Sequence, residues 1–313
     1  MLNIFKQLSQ QGVLSINNRN ANYTLKYNAR NKYPIVDNKL KTKQLAVEAG
    51  LPVPELYAVI EIERQIQDID DITQNQSAFV VKPARGSGGN GIVVIADHDE
   101  TMYWKANGII IKTEELRYHI SNILSGLYSL GGQPDEAIIE YRIQPDKIFE
   151  SISYLGVPDI RIIVFFGIPV MAMVRLPTRM SDGKANLHQG AIGAGINLST
   201  GRTLRAVWKD MIITNHPDTR HPVADIQIPC WEKLLELSSR CYELTGLVYQ
   251  GVDIVLDEDK GPMILELNAR PGLNIQIANQ SGLLHRLKLI EKHHHELNSI
   301  EERVTFALSH FAH

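Results

Sequence analysis

Three side chains in the C-terminal third, Asp253, Glu266 and Asn268, carry the hard oxygens that a small divalent cation prefers. Glu266 and Asn268 are two residues apart, so in an extended segment both point to one face. Between Asp253 and that pair lies Asp257-Glu258-Asp259-Lys260-Gly261, a polar stretch ending in glycine, with apolar residues on either side. The reading is a tight hairpin, 252–256 against 262–268, whose antiparallel pairing brings Asp253 beside Glu266 and Asn268. Such a set suits Mg²⁺, with phosphate and water completing the shell. A purely structural hairpin would more often place Val or Thr at those positions.

A second stretch, residues 79–95, reads FVVKPARGSGGNGIVVI, which is strand, glycine-rich loop, strand. Lys82 ends the incoming strand. Gly86, Ser87, Gly88, Gly89 and Gly91 supply a loop that can approach phosphate oxygens with its backbone N–H groups. It is not a P-loop, because the GxxxxGK[ST] order is absent. Nor does it open a helix, as a dinucleotide fingerprint must. A mobile hairpin is the plain alternative, but a lysine before the glycines and a metal hairpin downstream favour a nucleotide.

Other candidates sit on elements that must position them. Arg161 and Arg175 are charges on the apolar strands 161–166 and 170–175, and a buried guanidinium needs a partner such as Asp159. Segment 181–195, SDGKANLHQGAIGAG, lacks helix and strand periodicity and reads as a flexible loop. It concentrates Lys184, Asn186 and His188, which can donate to phosphate oxygens; His188 suits a positioning donor better than a base. Helices are predicted at 37–50, at 114–130 with Gly131-Gly132 as the stop, and at 231–245, with a short buried strand at 137–141.

The order of Lys39, Lys82 with its glycine loop, Asp253, Glu266, Asn268 and then Pro271-Gly272-Leu273 resembles the ATP-grasp carboxylate–amine ligases. The likeness is greatest to RimK-like glutamate ligases and alpha-L-glutamate ligase-related proteins, and it runs from about 37 to 287. It implies an α+β class: an ATP-grasp fold of two α+β subdomains gripping ATP between them. An N-terminal arm, 1–36, stands where such ligases carry a full preceding domain. The N-subdomain with the phosphate loop would be 37–143, the C-subdomain with the Mg²⁺ site 144–290, and a C-terminal helix 291–313. By the same likeness Lys39 is the first ATP-contacting lysine, although by residue type alone it could equally be a solvated helix lysine. Glu140, Tyr141 and Arg142 become the adenine edge, Asp146 the ribose contact, and Arg161 and His188 phosphate contacts. Arg175, Lys184, Asn186 and Arg270 become the catalytic group, offsetting charge at the transferred phosphoryl or the reacting carboxylate. Arg270 departs from the pattern, since RimK-like ligases often carry a small residue there, and the 175–186 segment is slightly long.

The chemistry implied is transfer of ATP's γ-phosphoryl to a carboxylate, then displacement of phosphate by an amine to leave an amide and ADP. The cofactors are ATP with one or two Mg²⁺, for which Mn²⁺ can substitute. The substrates are small-molecule or peptide acids and amines, glutamate-like by the resemblance. Two rivals use the same fold: a kinase-like phosphotransferase, and a catalytically silent nucleotide-binding regulatory module.

The bulk numbers fit an ordinary globular chain of 313 residues, 44% hydrophobic and 21% charged. A net charge of −3 gives no reason to expect nucleic acid or an anionic membrane as partner. No apolar run approaches the ~20 residues of a membrane span, and no signal-peptide hydrophobic region opens the chain, so cytoplasm is the expectation. A homo-oligomer is left open. Cys230 and Cys241 fall on one predicted helix without metal or redox spacing and read as core thiols. His293-His294-His295 point in different directions on a helix, which favours a solvated face over a metal site.

Overall fold

The computed structural model describes residues 6–8, 10–86, 88–99, 101–129 and 131–312. Ser87, one of the expected phosphate-loop residues, lies outside them. The chain divides into two compact units, a smaller one (38–44 and 53–144) and a larger one (1–37, 45–52 and 145–313). Each is built on one antiparallel sheet with helices, so the α+β class expected from the sequence is the one that forms.

The smaller unit holds β1 (Leu56–Ile60), β2 (Phe79–Pro83), β3 (Val93–His98), β4 (Met102–Lys105), β5 (Ile110–Lys112) and β6 (Ala137–Tyr141) in the order β1-β6-β2-β3-β4-β5. Side-chain alternation divides its faces. Phe79, Val81, Ala137 and Ile139 join Leu116, Ile120 and Ile123 of helix Thr113–Leu124 in the main core, while Ile138 meets Leu40 and Ala84 on the other side. That helix stops at Leu124, short of the expected 130. Gly126, at φ +85°, ends it instead of Gly131-Gly132, with Leu127 N donating back to Asn122 O at 3.1 Å. Helix Lys39–Glu48 keeps close to its expected span. The Asn38 side chain accepts from Leu40 N at 2.9 Å at its start, and Gly50 at φ +65° follows its end.

The larger unit orders its strands β11-β10-β9-β8-β7-β12-β13. These are β7 (Asp159–Phe165), β8 (Ile168–Leu176), β9 (Ile192–Ile196), β10 (Thr203–Trp208), β11 (Met211–Ile213), β12 (Tyr249–Asp257) and β13 (Gly261–Asn268). Every residue of β12 is buried, and it pairs with β7 on one side and β13 on the other. Helix Trp231–Thr245 forms over its predicted span. Segment 181–195 departs from the expected loop, because its last residues form the fully buried β9. Gly193 and Gly195 are there for room: a Cβ on Gly195 would lie 2.7 Å from the Asn279 side chain and 2.8 Å from Ala278 O, at helix Asn274–Asn279.

The described part of residues 1–37 is knit into this unit. The Asn28 side chain accepts from Tyr249 N at 2.9 Å and donates to Tyr249 O at 2.6 Å. Gln276 does the same for Leu14, and buried Arg19 donates to Pro271 O at 2.5 Å. Two expectations about isolated residues need correction. Cys230 is exposed and precedes the helix in a left-handed backbone conformation, leaving Cys241 as the core thiol. His294 is not merely solvated, because its ring stacks on Phe166 with centroids 3.7 Å apart. Among the described residues no helix is long and apolar enough to cross a membrane.

Candidate functional site

Register fixes the polar centre of the larger unit. Asp253 lies opposite Glu266 in the β12–β13 ladder and opposite Arg161 in β7–β12, while Asp159 faces Arg175 in β7–β8. Opposed residues share a face, so three carboxylates and two guanidiniums meet on adjacent strands. Arg161 forks onto Asp253, with Nε to Oδ1 at 2.7 Å and Nη2 to Oδ2 at 2.5 Å. Arg175 forks onto Asp159 with both distances 2.5 Å, and its Nη2 reaches Asp253 Oδ2 at 2.9 Å. Asn268 Nδ2 also donates to that oxygen, at 3.2 Å. The bidentate geometry is the one a planar guanidinium favours.

Burial alone would raise the Asp253 pKa, but the two guanidiniums outweigh it and hold the group at about 2. Burial pushes Asp159 up to about 6, with Arg175 opposing the rise and Asp253 adding to it. Arg175 is raised by its two carboxylates despite burial. These placements correct the simplest metal reading, in which Asp253 is a free ligand. Among the described residues no group of three or more His, Cys, Asp or Glu side chains is arranged to hold an ion. The oxygens of this face suited to a cation are those of Glu266, the Asn268 side-chain oxygen and Asp253 Oδ1, which accepts from Arg161 Nε. Mg²⁺ usually takes one or two carboxylates and completes its shell with substrate phosphates and water. The set therefore fits Mg²⁺ arriving with a nucleotide rather than an all-protein cage.

The 177–190 segment is firmly braced. Asn186 caps the short 3₁₀ turn Leu187–Gln189 by accepting from His188 N at 3.0 Å, and Gly190 closes it at φ +104°. Thr178 Oγ1 and Trp208 Nε1 both donate to Gly190 O at 2.8 Å. Buried His216 holds Pro177 O at 2.9 Å, and Asp218 accepts from Arg179 N at 2.8 Å. Lys184 is half-buried and His188 exposed on this segment. Arg270 is exposed, with its guanidinium over the Tyr33 ring, 4.9 Å from the centroid.

In the smaller unit Lys82 is buried rather than reaching out from the loop. Its Nζ lies 2.5 Å from Glu140 Oε1, while Lys43 Nζ lies 2.9 Å from Glu140 Oε2. Lys82 faces Ile138 and Glu140 faces Val80, so the pair is a diagonal neighbour on one sheet face. Burial would raise the Glu140 pKa, but the two lysines more than reverse it. This corrects the place of Glu140 on an adenine edge: its side chain is a buried counter-ion, and its strand is paired on both sides, to β1 and β2. Tyr141 N also donates to Glu55 O at 2.8 Å, and Arg142 is half-buried. Lys39 is no free surface lysine, since its Nζ donates to Gly86 O at 2.5 Å at the base of the glycine loop. Gly88, Gly89 and Gly91 all have positive φ, which the loop needs glycine to supply. In the larger unit, Asp146 spends its carboxylate on Ile148 N at 2.9 Å, as a cap for 3₁₀ helix Lys147–Ile152.

Sequence reasoning missed Lys43 and the role of Asp159. The alternation Asp159-Ile160-Arg161 was a usable signal for the second. Nothing distinguished Lys43 from Lys39 and Lys41 without the fold.

The family model described as sugar-transfer associated ATP-grasp matches residues 18–292. No curated protein matches. Among solved structures, the chain is similar to the ATP-grasp ligase PsnB complexed with minimal precursor, at 14% identity and a TM-score of 0.46, over 85% of this chain and 62% of that one. It is similar to the D-alanine–D-alanine ligase of Bacillus anthracis complexed with ATP, at 15% identity and TM-score 0.43, over 90% and 66%. It is also similar to Rhizobium etli pyruvate carboxylase, at 14% identity and TM-score 0.51, over 83% of this chain and 18% of that one. The chain thus spans less than two thirds of the length of the first of these. The ATP-grasp likeness read from the motifs stands; kinship to RimK-like ligases is not shown by the matching model.

Proposed function

Because the chain belongs to the sugar-transfer associated ATP-grasp family, we propose that it is an ATP-dependent ligase that joins a carboxylate to an amine through an acyl phosphate, releasing ADP and phosphate. The observation that carries the reading is the polar centre of the larger unit, where Asp253 faces Glu266 and Arg161 while Arg175 bridges Asp159 and Asp253. Phosphoryl transfer asks a protein mainly for positioning and charge neutralisation, and paired carboxylates and guanidiniums on rigid strands offer both.

In this reading Glu266 and Asn268, with Asp253 Oδ1, hold Mg²⁺. The ion, when bound, neutralises phosphate charge. Arg161 keeps Asp253 ionised and fixed, and Arg175 contributes positive charge toward the transferred group. Lys184 and Asn186 belong to the braced 177–190 segment and donate to the phosphoryl or the reacting carboxylate. In the smaller unit Lys82, Lys39 and the 86–91 loop serve the nucleotide phosphates. No covalent enzyme nucleophile is required. The acid and the amine are small molecules or peptides, and the family's description makes a sugar-linked acid or amine the first class to screen.

The test is product identity. With MgATP and a panel of acids, the protein is expected to form ADP and phosphate only when the right acid is present, and fastest with its amine. Hydroxylamine in place of the amine should trap the activated acid as a hydroxamate. AMP and pyrophosphate as products would overturn the mechanism, and a stable phosphorylated product that ignores hydroxylamine would make the protein a phosphotransferase.

A further inference from the structure

One basic side chain of the smaller unit is not used by the nucleotide reading. Lys43 lies one turn beyond Lys39 on helix Lys39–Glu48 and turns inward, with its side chain 6% exposed. Its Nζ donates to the Pro54 carbonyl and pairs with Glu140 Oε2 at 2.9 Å. Lys82 takes the other oxygen of the same carboxylate at 2.5 Å. Two ammoniums therefore share one buried carboxylate, and the trio carries one formal positive charge in excess.

We propose that Lys43 is a stand-in counter-ion, which keeps Glu140 paired while Lys82 leaves it for a nucleotide phosphate. The inference rests on Lys82 being a phosphate ligand. If Lys82 were the sole cation on Glu140, its transfer to phosphate would strand a buried carboxylate, and an unpaired buried charge is strongly unfavourable. Lys43 removes that obstacle. The Pro54 carbonyl anchors Lys43 as well as Glu140, whereas among the described residues the Lys82 ammonium is held by Glu140 alone. Lys82 is thus the member free to exchange. Arrival of a phosphate charge also relieves the crowding of two cations: burial lowers the Lys43 pKa, Glu140 opposes that shift, and Lys82 adds to it.

The experiment is calorimetric titration of the full chain with MgATP, with unfolding midpoints recorded for every variant. Lys82→Met is expected to weaken binding at least about tenfold, as loss of a charge-assisted contact does. Lys43→Met should also weaken it at least about tenfold, because Lys82 is then held by Glu140. Lys43→Met/Glu140→Gln should return to within about threefold of the Lys43-containing protein, since no carboxylate remains to strand. Where Lys43→Met does not fold, Lys43→Gln, which keeps a donor for the Pro54 carbonyl, serves the same comparison. Unchanged affinity in Lys82→Met would remove the phosphate-ligand reading and this inference with it. A weakened Lys82→Met beside an unaffected Lys43 variant, or a double variant no better than the single, would overturn the inference alone.

Discussion

Replacing Arg175 by Met separates what the guanidinium does for the fold from what it does for chemistry. The substitution deletes three contacts: two to Asp159 at 2.5 Å and one to Asp253 at 2.9 Å. Asp253 keeps the Arg161 fork, so the damage falls on Asp159, whose side chain is 6% exposed. Removing one partner of a buried ion pair costs about 3–5 kcal/mol. The cost should grow as pH rises through about 6, where Asp159 loses its proton in the native protein; without Arg175, which opposes the rise, the carboxyl holds its proton to higher pH, and that protonation hides part of the cost. Asp159 and Arg175 face each other across β7–β8, so Asp159→Leu/Arg175→Met sets two apolar chains together and should recover to within about 2 kcal/mol of the native protein. Urea unfolding measures both variants, and ADP formation is followed on the same samples. The stable double variant is expected to form no ADP. A single variant within about 1 kcal/mol of the native protein would refute the buried-pair argument. A stable double variant with full ADP formation would reduce Arg175 to a structural residue.

Glu266→Gln should remove most of the gain in ATP affinity that Mg²⁺ confers, at least about tenfold or 1.4 kcal/mol, while binding of metal-free ATP changes little; titrations with and without Mg²⁺ check this. Gly156→Ala places a Cβ against the Gly183 carbonyl, and overpacking of this kind costs about 1–3 kcal/mol; crystallography should find the 181–190 segment displaced and assays a lowered turnover. His216 is buried, and its pKa is lowered by that burial against the opposing pull of Pro177 O and Asp218. The unfolded chain then takes up the proton first, near pH 6.5. The stability His216 contributes is complete above that pH and is lost as pH falls toward the folded value. Unfolding free energies at pH 7.5 and 5.5 should therefore differ more in the native protein than in His216→Gln.

What the sequence determined by itself was whatever depends on local geometry. Period-two spacing put Glu266 and Asn268 on one face, and the glycine-ended turn made 252–268 a hairpin bringing Asp253 beside them, which the register does by setting it opposite Glu266. The glycines at 88, 89 and 91 announced a backbone that L-residues rarely adopt, and the loop does adopt it. Only the tertiary structure decided how charges pair. Arg161 had Asp159 two residues away in sequence, yet β7–β12 register gives it Asp253 and leaves Asp159 to Arg175. Strand β9 was illegible because its Gly and Ala residues answer to a helix packed on it, not to strand propensity. Lys43 looked like its neighbours Lys39 and Lys41 until a sheet face set Glu140 against it. A side chain's periodicity is written in its own segment, but the partner that makes a buried charge tolerable is supplied by another strand.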